Sequence, residues 1–171
     1  MHQQRTENSC GPDCLGTISK RFGISQQQVD EAFNCPDISE FSNLQDTPAN
    51  HISAMRKLGI KYRTVTADQI CAGECQDGRV IVLLHSKDDP ETIVPEGILI
   101  QHWAIVTKVL GNCLYLDMGL PSLDEKLMSF PAFKARYEGC PTKTAWEITG
   151  LGEPMRPKWW VRLWCWLVGK K

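Results

Sequence analysis

The stretch that most limits how this chain can fold runs from Gln4 to Gly23, where a polar approach loop turns abruptly into a helix. Pro12 suits a first helical turn, because its missing N–H would have no partner there. Asp13 sets a negative charge at the positive end of the helix dipole. Cys14, Leu15, Ile18 and Phe22 recur on one apolar face, and Gly23 supplies a left-handed residue to close the helix. The helix is therefore buried along one side, with Cys10 at or just before its N-terminus. Unpaired backbone N–H groups at that end stabilise a thiolate. With a histidine partner they bring a thiol from ~8.5 down to roughly 3.5–7.5. A cysteine ionised near neutral pH is a nucleophile. Taken alone, Cys10 also reads as a small buried hydrophobe.

At 171 residues the chain suits one domain over 1–171. A chain of that size buries roughly 70% of its unfolded surface, so it needs no staples. The net charge of −1 gives no global field to recruit nucleic acid. Eight cysteines are many for this length. No apolar segment follows Met1 as a signal peptide would, so the thiols read as mostly reduced, in a protein made in a cytosol. Cys10/Cys14 and Cys71/Cys75 are spaced C-x3-C, unlike the closer knuckles of zinc sites, and no metal is expected. A labile Cys71–Cys75 disulfide stays open. No apolar run approaches the ~18 residues of a membrane span, so no stable membrane insertion is expected.

The rest of the chain punctuates itself. Ser25 and Gln28 form a capping box for a short helix. Thr47-Pro48 and Gly59 bracket a helix over 48–58, on which His51 reads as an exposed or half-buried residue. Residues 60–65 alternate as a strand, and 67–76 suit a short helix. Arg79 to His85 is a continuous apolar run, the mark of a central strand buried on both faces. Residues 86–97 read as an acidic exposed loop. Residues 98–110 and 113–117 form a hairpin about Gly111-Asn112. A helix over 129–137 and a last strand from Trp146 follow. Helices that lead and a mostly antiparallel sheet that follows make an α+β domain, with the first helix packed on the sheet. The Trp-rich basic tail 155–171 holds Trp159, Trp160, Trp164 and Trp166. It reads as a closing core element, a membrane-interface anchor or a docking surface.

Counting back from the turn pairs residue 110 with 113 and 106 with 117. His102 then lies beyond Asp117 toward the same sheet end, where a carboxylate can orient an imidazole for a nucleophile. Gln4 stands six residues before Cys10, and its amide can donate to a developing oxyanion beside the Cys10 N–H. Each residue has a plainer reading: a satisfied sheet histidine, a strand-end aspartate, a solvated glutamine.

Together Gln4, Cys10-Gly11-Pro12, the helix ending Phe22-Gly23, His102-Trp103-Ala104-Ile105-Val106 and Leu116-Asp117 resemble the bacteriocin-processing peptidases of the papain-like superfamily. Those domains cleave leader peptides after a double glycine, at the front of peptide-exporting transporters. The resemblance covers about residues 3–120. It implies a papain-like fold and a thiol endopeptidase without metal or cofactor. Cys10 would attack, His102 would shuttle the proton, Asp117 would orient His102, and Gln4 would stabilise the oxyanion. The family's aspartate is usually followed by proline, where this chain has Met118-Gly119, and no transporter follows. The chain is thus similar to free-standing relatives that act as toxin domains delivered between competing bacteria. That implies synthesis in a bacterial cytoplasm, a protein substrate and a cognate inhibitory (immunity) protein, since no pro-segment precedes Cys10. The alternatives are a leader-processing peptidase, a thioester-forming deamidase or acyltransferase, and an inactive binding module.

Overall fold

The computed structural model describes residues 4–6, 8–35, 37–42, 45–85, 101–119 and 126–153. The acidic loop 86–97 and the Trp-rich tail 155–171 lie outside the described residues. Among the described residues five α-helices and one six-stranded sheet follow the order α1 (Cys10–Ser19), α2 (Gln26–Ala32), α3 (Pro48–Lys57), β1 (Ile60–Thr64), α4 (Ala67–Cys71), β2 (Val80–His85), β3 (Gln101–Leu110), β4 (Cys113–Asp117), β5 (Lys126–Ser129), α5 (Phe130–Glu138) and β6 (Ala145–Leu151). Short 3-10 turns occupy Lys20–Phe22 and Ile38–Glu40.

The helix punctuation works as its chemistry dictates. Ser25 and Gln28 close a reciprocal capping box on α2. Thr47 accepts from the Asn50 N–H, with Pro48 in the first turn of α3. Gly23 and Gly59 take positive φ after their helices.

The sheet order is β1-β6-β2-β3-β4-β5, with each neighbouring pair antiparallel. The apolar run at 80–85 is indeed interior, paired with β6 on one side and β3 on the other. All six of its residues are buried. Alternation sends Ile81 and Leu83 into a core with Leu15, Ile18 and Met55 from α1 and α3. Val80, Val82 and Leu84 enter a second core with Ile70, Phe133 and Tyr137 from α4 and α5. Helices thus cover both faces, which is why β2 reads as unbroken hydrophobe. Truncating Leu15, fully buried, to Ala removes roughly 2–5 kcal/mol by opening a cavity.

The β3–β4 hairpin turns where the sequence placed it, with Leu110 opposite Cys113 and Gly111 at φ 59°. Farther along, the count changes. Lys108 pairs with Tyr115 and Val106 with Leu116, which leaves Thr107 as an extra residue in β3. The Thr107 hydroxyl donates to the Tyr115 carbonyl at 3.2 Å. Asp117 therefore lies opposite Ile105 rather than Val106. Side chains alternate faces, so this slip of one residue reverses which residues before Thr107 share a face with Asp117.

The approach to α1 is tied down by charge. Arg5 Nε sits 2.6 Å from Asp13 Oδ1, and its other two nitrogens grip Asp30 at 2.7 and 2.8 Å. Ser9 Oγ donates to Asp13 Oδ2 at 2.6 Å. Asp13 and Asp30 are both buried, on α1 and α2. Asp13 thus does more than offset the helix dipole; with Asp30 it anchors the residues that lead into Cys10. Replacing Arg5 with Ala strands two buried carboxylates. We expect a loss of roughly 3 kcal/mol, the low end for a broken buried pair, because the Arg5 side chain is 34% exposed. Urea denaturation measures it, and Arg5→Lys should recover only part, having no forked donor.

Candidate active site

Cys10 opens α1, as the sequence predicts, and is buried against the centre of the sheet. Its neighbour Cys14, one turn on, is fully buried with Sγ 3.5 Å from the Trp103 carbonyl, on the core face where the helical spacing puts it.

The hydrogen-bond partner of the Cys10 sulfur was not legible in the sequence. The thiol donates to Asp46 Oδ2 at 3.2 Å, and the Gly11 N–H donates to the same oxygen at 3.0 Å. The other carboxylate oxygen, Oδ1, lies 2.7 Å from Nε2 of His51. A side chain at position 11 would overlap both Asp46 Oδ1 and His51 Nε2, so glycine is what lets the carboxylate approach the start of α1. His51, read from sequence as exposed or half-buried, is 0% exposed. Its ring stacks on Trp103 at 4.2 Å between centroids and meets the edge of Phe33 at 4.9 Å. Its Nδ1 has no hydrogen-bond partner among the described residues, so the ring proton belongs on Nε2, donated to Asp46. Position 51 sits on the apolar stripe of α3, one residue before Ile52, and a histidine on such a stripe was the one available signal.

The other three sequence candidates have partners at the turn after β4, and Asp117, opposite Ile105 in the register, lies on the Cys10 face of the sheet, where its charge acts on Cys14. His102 Nε2 lies 2.7 Å from the Met118 carbonyl. The Gly119 N–H donates to Asp117 Oδ1 at 3.0 Å. The Gln4 N–H donates to the Gly119 carbonyl at 2.9 Å, and its side-chain amide donates to the Thr6 carbonyl at 2.6 Å. His102, half-buried, pairs with Leu84, and strand alternation gives it the register of Leu84 and Ala104. Trp103 and Ile105 line the opposite face, with Cys10 and α1. The bulge at Thr107 is the reason: an unbroken register would have put His102 and Asp117 on one face.

The electrostatics around Cys10 also differ from the expectation of a depressed thiol. Burial first, and the Asp46 charge second, push the Cys10 thiol well above its ordinary value. Backbone hydrogen bonds from Trp103 and Gly11 pull the other way and are outweighed. Burial does the same to Cys14. The helix N-terminus is present, but its Gly11 N–H is shared with the Asp46 carboxylate.

Among the described residues, no group of three or more His, Cys, Asp or Glu side chains is arranged to hold a metal ion. No described helix is long and apolar enough to cross a membrane.

Helices on both faces of an antiparallel sheet, with a cysteine opening the first helix, make the papain-like peptidase fold. Among solved structures the chain is similar to the peptidase domain of Streptococcus ComA, a bifunctional ABC transporter involved in quorum sensing. The TM-score is 0.60 at 19% identity, over 86% of this chain and 96% of that one. No protein-family model matches the sequence, and no curated protein matches it.

Two measurements check these electrostatics. Alkylation of Cys10 by iodoacetamide should still climb about tenfold per pH unit at pH ~8.5, because only the thiolate reacts. A plateau already reached below neutrality would contradict a raised thiol. Stability should also fall in alkali. Unfolded cysteines lose their proton near ~8.5, while Cys10 and Cys14 keep theirs to higher pH and Cys140 to about 11. The folded state then binds more protons, so unfolding free energy declines as pH rises past about 8.5, by up to ~1.4 kcal/mol per pH unit for each thiol. Urea midpoints across that range test the sign.

Proposed function

We propose that the chain is a cysteine peptidase that acts on a protein or peptide, with Cys10 as nucleophile. The observation that carries this reading is the position of Cys10: first residue of a buried helix laid on the sheet of a papain-like peptidase fold. The Cys10 sulfur attacks a substrate carbonyl, an acyl-enzyme forms, and water releases it. In this reading His102 carries the proton, Asp117 orients His102, and Gln4 with the Cys10 N–H receives the oxyanion. Support for those three roles is their convergence on the Met118–Gly119 turn and their resemblance to the double-glycine leader peptidases. The Met118 carbonyl engages Nε2 of His102, so the reading gives the Cys10 proton to Nδ1, and it requires the Gln4 amide to leave Thr6.

The resemblance also suggests the biological setting, a toxin acting on a protein of a competing bacterium and restrained by an immunity protein. Processing of a leader peptide, as its relatives do, is the alternative, and deamidation or acyl transfer through the same thioester is a further one.

Incubation with candidate proteins followed by intact mass spectrometry separates these chemistries: fragments mean proteolysis, and about +1 Da means deamidation. Cys10→Ala should abolish turnover with the fold retained. Gln4→Ala should lower kcat by roughly 10²–10³ with KM little changed, the loss of one oxyanion donor. His102→Ala should be as damaging as Cys10→Ala; an active His102→Ala enzyme would remove His102 from the mechanism. Expression in a bacterial cytosol tests the setting. Wild type should arrest growth and Cys10→Ala should not, whereas harmless accumulation of active enzyme would return leader processing to first place.

A further inference from the structure

The Cys10–Asp46–His51 arrangement has no part in that mechanism, and nothing in the sequence pattern asked for it. Three donors converge on one buried carboxylate: the Cys10 thiol and Gly11 N–H on Oδ2, and His51 Nε2 on Oδ1. The carboxylate is well held from behind. His51 is clamped between Trp103 and the edge of Phe33, and Trp146 stacks on Trp103 in turn, at 5.3 Å. Asp46 itself stands just before Thr47, the residue that caps α3. Both the cap and the aromatic stack therefore aim Asp46 at the start of α1. A buried carboxylate with matched donors is stable where it is. For Cys10 the consequence is unfavourable to attack. The charge beside it opposes formation of a thiolate, and the Gly11 N–H that faces the sulfur, and would face an incoming carbonyl oxygen, is shared with the carboxylate.

We propose that Asp46, held by His51, is a built-in stopper of Cys10: a positioning residue that keeps the nucleophile as a hydrogen-bond donor until an incoming substrate displaces the carboxylate. A substrate carbonyl presented to Cys10 competes with Asp46 for the Gly11 N–H. Its arrival removes the one negative charge bonded to the sulfur and frees the thiol proton for transfer. Reactivity is thereby coupled to occupancy of the site, a safeguard for a peptidase in a cytosol full of exposed chain. The inference rests on Cys10 being the nucleophile of the proposed reaction, but its test reads the thiol alone and needs no substrate.

Asp46→Asn keeps the shape of the side chain and removes its charge. The titratable groups around the Cys10 sulfur include Asp46, its partner His51 and Cys14 on the next turn of α1, and the charges of Asp117 and Asp13 act on Cys14. The full-length protein is alkylated with iodoacetamide over a range of pH, and modification at Cys10 and Cys14 is resolved by fragment mass spectrometry. Cys14, fully buried on the same helix, is the internal reference, since unfolding exposes both; the Asp46 charge also acts on Cys14 without a hydrogen bond to it, so the ratio understates the effect on Cys10. In Asp46→Asn the Cys10 rate relative to Cys14 should rise at least about tenfold near neutrality, and its pH profile should move down by about 1–3 units. Gly11→Ala evicts the carboxylate by volume instead of chemistry and should change the ratio in the same direction. A Cys10/Cys14 ratio that stays the same or falls in both variants overturns the proposal, and a fall would make Asp46 an activator of the thiol. Peptidase activity measured separately decides the proposed function, so either idea can fail without the other.

Discussion

Burial of β2 and β3 on both faces is the constraint from which the rest of the structure follows. Each face of that central pair is apolar, so each needs its own helical layer. The layer built from α1, α2 and α3 sets the first turn of α1 against β3, next to Trp103. The layer from α4 and α5 closes the other side, and the cysteine that opens α1 belongs to the core of the first layer. A nucleophile in this position is therefore governed by the near layer alone, which is how a residue just before α3 becomes the hydrogen-bond partner of Cys10.

The two ends of the near layer are fastened by buried charge, in opposite ways. At the entrance to α1, Arg5 joins the carboxylates of Asp13 and Asp30 and holds the approach loop to two helices. At the start of α3, Asp46 is satisfied by a ring nitrogen, a backbone N–H and the thiol itself. The first arrangement positions the backbone around Cys10. The second bears on its chemistry, since the same carboxylate that completes a buried polar network also disfavours the thiolate that catalysis by Cys10 requires. Stability and reactivity are in direct opposition at this one side chain.

What the fold supports and what the side chains support are separate statements. The fold is that of a papain-like peptidase domain, by architecture and by its likeness to the ComA domain. Four residues suggested the same fold from the sequence. Gln4, His102 and Asp117 gather at a single turn, and Cys10 is held at the start of α1 by a different pair of residues.

Local chemistry was readable without the fold. Capping side chains, helix-ending glycines, the hairpin turn and the two-sided apolar strand each depend on residues within a few positions of one another, so the sequence by itself determined α1 to α3, the interior place of β2, the antiparallel hairpin and the placing of Cys10 at a helix start. Two features were decided only in the tertiary structure. One is the bulge at Thr107: a single unpaired residue leaves no mark in the alternation of Val106, Lys108 and Val109, yet it turns His102 to the face away from Asp117. The other is the contact of Asp46 and His51 with Cys10, across some 36 residues of chain. A histidine on the apolar stripe of a helix hints at burial but gives no sign of which carboxylate or aromatic rings it will meet. That depends on which strand packs beneath the helix, and the burial that follows reverses the direction in which the thiol is pushed.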